Sequence, residues 1–159
     1  MDQIIVKNIE IIAFEPSLAK EFKDLNIAWL KKYFEVEPAD EKVLNDPQNE
    51  IINKGGFIFF AKSGNTVAGT VSLLKLNEDV FELAKMAVAE SWQGKKIGNL
   101  LMEYCIDFAK KLDVTKLVLY SNRKLLPALH LYKKFGFIEV PLENSEYKRS
   151  DIKMEKVLS

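Results

Sequence analysis

Between Phe57 and Val88 three apolar runs follow one another with only short polar turns between them, and this spacing decides most of what the chain can become. Phe57 to Lys62, Val67 to Leu76 and Val80 to Val88 have strand length, and the breaks at Ser63-Gly64-Asn65-Thr66 and Asn77-Glu78-Asp79 are turns. Strands joined so tightly pair antiparallel. After Val88 the pattern changes. Ile97, Leu100, Leu101, Tyr104, Cys105, Phe108 and Leu112 recur at steps of three and four, which predicts an amphipathic helix with Cys105 in the core. Lys116 to Tyr120 is again β-rich, Leu125 to Phe135 is helical and stopped by Gly136, Phe137 to Val140 opens another strand, and Asp151 to Leu158 alternates. Strand-helix-strand order calls for a parallel crossover, so the sheet is expected to be mixed, with helices on both faces.

The N-terminal part fits around this sheet. Lys7 to Phe14 predicts a first strand, and Ser17 behind Pro16 is a reasonable helix cap. Leu18, Phe22, Leu25, Trp29 and Tyr33 predict the buried stripe of a helix that ends before Pro38. Pro38-Ala39-Asp40-Glu41 enters a second short helix, Asp46-Pro47 a third segment, and Gly55-Gly56 breaks the chain before the first hairpin.

Length and charge narrow the function classes. The 159 residues, 48% of them apolar, suffice for a single domain spanning residues 1–159. Basic and acidic residues balance at 23 each, so no net field gathers nucleic acid or anionic lipid. No run approaches the roughly 20 apolar residues of a membrane span, and no signal-peptide core is read at the N-terminus. A soluble, cytoplasmic protein is expected. One cysteine and one histidine leave no disulfide framework, CxxC site or histidine-rich metal centre.

The most informative stretch for function is Trp92 to Leu101, Trp-Gln-Gly-Lys-Lys-Ile-Gly-Asn-Leu-Leu, which joins a strand to the amphipathic helix. A helix N-terminus behind a glycine-bearing loop offers unpaired N–H groups and the positive end of the macrodipole, a setting for phosphate or pyrophosphate. A dinucleotide-binding oxidoreductase would need Gly-x-Gly-x-x-Gly after the first strand of a parallel sheet. Here the loop follows an antiparallel run, which speaks against that class.

Three blocks, in order and at this spacing, resemble the GNAT superfamily of acyl-CoA-dependent N-acetyltransferases. They are Glu82-Leu83-Ala84-Lys85-Met86-Ala87-Val88, Gln93-Gly94-Lys95-Lys96-Ile97-Gly98, and Ser121-Asn122 followed by Pro127-Ala128-Leu129-His130-Leu131-Tyr132-Lys133-Lys134-Phe135-Gly136-Phe137. The resemblance covers about Phe57 to Val157. It implies an α/β (α+β) fold whose central sheet has six to seven mostly antiparallel strands, with one splayed parallel pair. It also implies acetyl-CoA as co-substrate, a small-molecule or peptide amine as acceptor, and, at an exposed sheet edge near the C-terminus, room for a homodimer.

By that resemblance the pyrophosphate lies on Gln93, Gly94, Lys95, Lys96, Ile97, Gly98 and Asn99. Lys96 replaces the motif's middle glycine, so the loop should be either right-handed there or rearranged, and its ammonium is free to meet a phosphate. The backbone of Met86, Ala87 and Val88 holds the pantetheine arm and the acetyl carbonyl, stabilising the oxyanion formed when an amine attacks the thioester. Asn122 and Ala128 complete the arm's contacts. Tyr132 stands where the family's tyrosine protonates the departing thiolate, a transfer expected to need no unusual pKa.

Glu82 is the leading candidate for the base that frees the amine of its proton, with Glu37, Asp40 and Tyr147 as alternatives. His130, two residues from Tyr132, points to another face, and Cys105 is no nucleophile, so direct attack in a ternary complex is the expected mechanism. Tyr147-Lys148-Arg149 reads as an exposed polar loop. Glu35 to Glu41, with Trp29, Tyr33 and Phe34, is expected to give the acceptor side an acidic character, and Met86 and Leu129 to limit the acyl chain to acetyl. The competing reading is a CoA-binding sensor or interaction module without catalysis.

Overall fold

The computed structural model describes residues 8–158, so Lys7, the expected start of the first strand, lies outside them. Strand β1 (Ile9–Ala13) leads into a 3-10 turn (Pro16–Leu18) and helix α1 (Ala19–Tyr33). Ser17 does not cap this helix. Proline starts the tighter turn one step earlier, and α1 is entered from Leu18 without a side-chain cap. The buried stripe is also displaced, to Phe22, Asn26 and Leu30, while Leu25, Trp29 and Tyr33 are only half-buried. Asn26 hides its polarity locally, its Nδ2 donating to the Phe22 carbonyl at 3.0 Å, which an apolar pattern does not register.

Helix α2 (Pro38–Asn45) and a π-type turn (Gln48–Ile52) precede the hairpin strands β2 (Phe57–Ser63), β3 (Thr66–Lys75) and β4 (Val80–Val88). A 3-10 turn (Glu90–Trp92) and the glycine loop lead to α3 (Ile97–Lys111), then β5 (Lys116–Ser121), α4 (Leu126–Lys134), β6 (Ile138–Val140) and β7 (Ile152–Val157). The seven strands form one sheet in the order β1-β2-β3-β4-β5-β7-β6. Only the β4–β5 neighbours are parallel, joined by the α3 crossover, and the mixed sheet expected from the sequence is thus observed.

Strand alternation divides the interior in two. Phe59 and Ala61 of β2 join Leu101, Met102, Cys105 and Ile106 of α3 on one face, while Ile58 and Phe60 meet Phe22, Leu30, Leu44 and Ile51 on the other. Gly69 lets α3 settle onto the sheet: a Cβ there would lie 3.0 Å from Ile97 and 3.2 Å from Leu101 and from the Ala87 carbonyl. The helix N-terminus is thereby fixed beside the end of β4.

Two irregularities in β4 create the site. Its pairing with β5 stops after Val80, Phe81 and Glu82, opposite Lys116, Leu117 and Val118, so the β5-facing edge of β4 is unpaired from Leu83 onward. In addition, Thr70 faces Ala87 while Ser72 faces Ala84, which places one extra residue in β4. Lys85 occupies this bulge at φ 54, a left-handed conformation that bulges use to redirect a strand. The bulge changes the strand's parity: Phe81 and Leu83 pack on the α3 side before it, Met86 and Val88 after it.

Candidate functional site

The cleft opened by the splay is walled by Glu82 to Met86 of β4, by Tyr120 to Asn122 at the end of β5, by Trp29 of α1 and Phe34 just after it, and by Tyr132 of α4. Glu82 stands at the last paired position of β4, and its carboxylate makes no hydrogen bond or ion pair among the described residues. Burial pushes its carboxyl up to about 7, with Lys85 pulling the other way and Glu146 adding to the rise. A carboxylate so poised exchanges protons near neutrality, as a general base must.

Tyr132 reaches the cleft from α4 with its ring 6.2 Å from Phe137, and burial pushes its hydroxyl up to about 12, partly offset by the Ser121 hydroxyl beside it. This corrects the expectation of an ordinary tyrosine. The group stays protonated across the physiological range, so it is a hydrogen-bond donor whose full transfer to a thiolate is uphill. Ala128 lies one turn earlier on the same helix, half-buried. Leu129, expected to limit the acyl chain, instead belongs to the core, whereas Met86 does line the cleft. His130 is exposed, and Cys105 is fully buried with its thiol pushed well up by burial.

The loop after β4 holds its lysine in a left-handed turn. Gly94 has φ 79 and Lys96 φ 64, so Lys96 itself adopts the left-handed conformation, which corrects the right-handed alternative. For a side-chain-bearing residue this costs roughly 1–2 kcal/mol. Among the described residues, the N–H groups of Gly94, Lys95, Lys96, Ile97, Gly98 and Asn99 donate to no acceptor of the chain, the first helical bond being Leu100 N–H to the Lys96 carbonyl at 3.2 Å. Such an array ahead of a helix dipole is a concave anion site. Gln93 closes the loop, its Nε2 3.4 Å from the Val88 carbonyl, and Lys134 Nζ holds the Asn99 Oδ1 at 2.9 Å. Ile97 is buried in the core, leaving only its backbone to face the loop.

Asn122 is engaged twice within the chain. Its Nδ2 donates to the Arg149 carbonyl at 2.7 Å and its Oδ1 accepts from Lys124 N–H at 2.9 Å. One amide hydrogen remains for any ligand.

Sequence reasoning missed the network that backs the cleft. Arg149 and Tyr147 are half-buried rather than exposed, because Asp40, fully buried on α2, draws them in. Arg149 binds both Asp40 oxygens at 2.7 Å and reaches Glu37 Oε2 at 3.3 Å. Lys85 Nζ donates to Asp40 Oδ1 at 2.7 Å and to the Tyr147 hydroxyl at 3.0 Å. Burial alone would raise the Asp40 pKa, but the hydrogen bonds from Arg149 and Lys85 outweigh it and hold the carboxyl below its ordinary range. Burial lowers the Lys85 ammonium, with Asp40 offsetting part of the effect. Burial and the carboxylates of Glu146, Asp40 and Glu82 push the Tyr147 hydroxyl well up. Asp40 is salt-bridged twice and Glu37 is paired with Arg149, so neither carboxylate is free to face the cleft, while Glu35 and Glu41 of the same segment are exposed. The Lys-Arg element before the last strand was visible, but nothing in the sequence joined it to Asp40, 109 residues away.

Among the described residues no cluster of histidine, cysteine and carboxylates is placed to hold a metal, and no helix is long and apolar enough to cross a membrane. The C-terminal sheet edge is β6, three residues long, with Ile138 exposed.

Comparison with known proteins places these features in context. The family model described as the acetyltransferase (GNAT) family matches residues 20–137. An uncharacterized N-acetyltransferase of Bacillus subtilis, YvbK, is 33% identical over 101 residues, covering 62% of this chain and 65% of the relative, so the chain spans about two thirds of that protein's length. Among solved structures, an acetyltransferase of the GNAT family from Staphylococcus aureus superposes with a TM-score of 0.84 at 22% identity, covering 95% of this chain and 99% of its own. A spermidine N-acetyltransferase from Vibrio cholerae, solved with CoA and spermine, superposes with a TM-score of 0.71 at 18% identity, covering 96% of each chain.

Proposed function

Because the chain belongs to the GNAT family of acetyltransferases, we propose that it transfers the acetyl group of acetyl-CoA to a primary amine by direct attack within a ternary complex. The observation that carries this reading is the geometry around the end of β4. Six consecutive donors without an acceptor among the described residues, from Gly94 to Asn99, lie at one end of an unpaired strand edge, and an unpaired carboxylate and a protonated tyrosine lie at the other.

In this reading the pyrophosphate of the co-substrate takes the loop donors and Lys96, and the pantetheine arm runs along the open edge of Met86, Ala87 and Val88 like an added strand. The thioester carbonyl then meets backbone donors near Met86. Glu82, titrating near 7, accepts a proton from the incoming ammonium, directly or through one water. The neutral amine attacks the carbonyl carbon, the nitrogen of the tetrahedral intermediate gives its extra proton to solvent, and collapse breaks the C–S bond to leave the acetamide and a thiolate. Tyr132 donates a hydrogen bond to the departing sulfur, and the proton reaches it as the thiolate leaves or from solvent afterwards. The products are an acetamide and CoA. Cys105 lies in the core, which supports direct transfer over an acyl-cysteine route.

Calorimetric titration with acetyl-CoA, followed by thiol release with a panel of amines, tests the reading. Saturable one-to-one binding with amine-dependent thiol release is expected. Folded protein that does not bind acetyl-CoA refutes it, and binding without release for any amine would favour the sensor role.

A further inference from the structure

Resting on the acetyl-transfer reading above, we infer that the acceptor is a monoamine with an apolar, preferably aromatic, body, and that polyamines and free amino acids are poor substrates.

The argument is one of charge and shape. Of the residues that line the cleft, Glu82, Lys85 and Arg149 are charged. Arg149 spends its guanidinium on Asp40 and Glu37, and Lys85 spends its ammonium on Asp40 and the Tyr147 hydroxyl. An acceptor's carboxylate would have to break these buried bonds to find a cation, leaving a carboxylate of the protein unpaired. Only Glu82 remains to meet a positive charge, and it can meet one. Glu146, the other carboxylate whose charge reaches Glu82, is exposed, where water screens its hold on a second ammonium.

The remaining surface is aromatic and apolar. Trp29 and Phe34 stand with ring centroids 5.7 Å apart at 44°, and Tyr120, Leu125, Tyr132 and Tyr147 complete the wall. The Tyr147 ring is held in place from both sides of the network, 4.3 Å from Lys85 Nζ and 4.4 Å from the Arg149 guanidinium carbon. Such walls bury a flat hydrocarbon body well and a chain of charged methylene units badly.

The test uses the purified chain with acetyl-CoA and three acceptors: phenethylamine, spermidine and phenylalanine. We expect kcat/KM for phenethylamine to exceed both others by at least about tenfold, the discrimination a site gains when it leaves the competitor's charges unpaired. Spermidine or phenylalanine at equal or higher kcat/KM overturns the inference while leaving acetyl transfer intact. Protein saturated with acetyl-CoA that acetylates no phenethylamine also overturns it, and protein that binds no acetyl-CoA overturns both readings. Arg149→Gln supplies an independent arm by freeing Glu37 and part of Asp40. The spermidine-to-phenethylamine ratio should then rise several-fold, and an unchanged ratio counts against the charge argument.

Discussion

Replacing Glu82 by glutamine should make the protein more stable and less active, and both effects follow from one number. The Glu82 carboxyl titrates near 7 in the folded chain against an ordinary 4.5, because burial opposes its charged form. A raised carboxyl means that the folded state holds a proton the unfolded state has lost. Stability is therefore fully present below about pH 4.5 and declines as pH rises through 7. At 1.36 kcal/mol per unit the penalty approaches about 3 kcal/mol by pH 8.5 and is under about 0.5 kcal/mol at pH 4.5. Glutamine copies the protonated shape and never ionises. Urea unfolding should thus show Glu82→Gln close to wild type at pH 4.5 and about 3 kcal/mol more stable at pH 8.5, while kcat/KM falls by about 10²–10⁴. Wild-type activity should rise with pH to a plateau above a midpoint near 7, a limb that the variant lacks. A stability difference independent of pH, or an unchanged rate, would refute the assignment.

Other changes separate the remaining parts. Tyr132→Phe should lower kcat by about 10–100-fold with the acetyl-CoA Kd changed less than about threefold, since the ring stays and only the donor is lost. Wild-type activity should also show no tyrosine-dependent decline below about pH 10, the hydroxyl lying near 12. Lys96→Gly should raise stability by about 1 kcal/mol by relieving the left-handed conformation, yet weaken acetyl-CoA several-fold and flatten its salt dependence, as calorimetry at two ionic strengths would reveal. Asp40→Asn should destabilise by about 3–5 kcal/mol at pH 7, because it strands Lys85 and Arg149 inside the protein. Since Asp40 titrates below its ordinary range, its contribution holds above about 3.8 and is lost as pH falls, so the gap should narrow in strong acid.

The sequence was a good guide wherever local patterning matched the final packing. The boundaries of β4, α3 and β5 and the burial of Ile97, Leu101 and Cys105 follow from hairpin spacing and one apolar stripe, although Tyr104 and Leu112 of that stripe are exposed and Met102, Ile106 and Ala109 are buried in their stead. Lys96 was legible as a departure but not as a solution, because whether a lysine bears positive φ depends on the walls around it. What stayed hidden was long-range pairing. Lys85 reads as a strand residue, Arg149 as loop and Asp40 as a helix-start acid, and each is ordinary alone. Only the fold brings them within 2.7 Å, so that two cations meet the buried carboxylate behind the cleft. Ser17 and the Leu25-Trp29-Tyr33 stripe failed for a smaller reason: the 3-10 turn at Pro16 and the self-satisfied Asn26 shifted the helix phase.

The single extra residue at Lys85 means that β4 carries information in its length as well as in its letters. In the proposed reading, the strand ahead of the bulge addresses the incoming amine, and behind it the opposite parity addresses the co-substrate. Substitutions on the near side can retune what is accepted without disturbing how the donor is held, so new acceptor preferences are reachable by small steps. A one-residue deletion is different in kind. It would turn Met86, Ala87 and Val88 over together and present the wrong face to every ligand at once, making the residue count of this strand less negotiable than its composition.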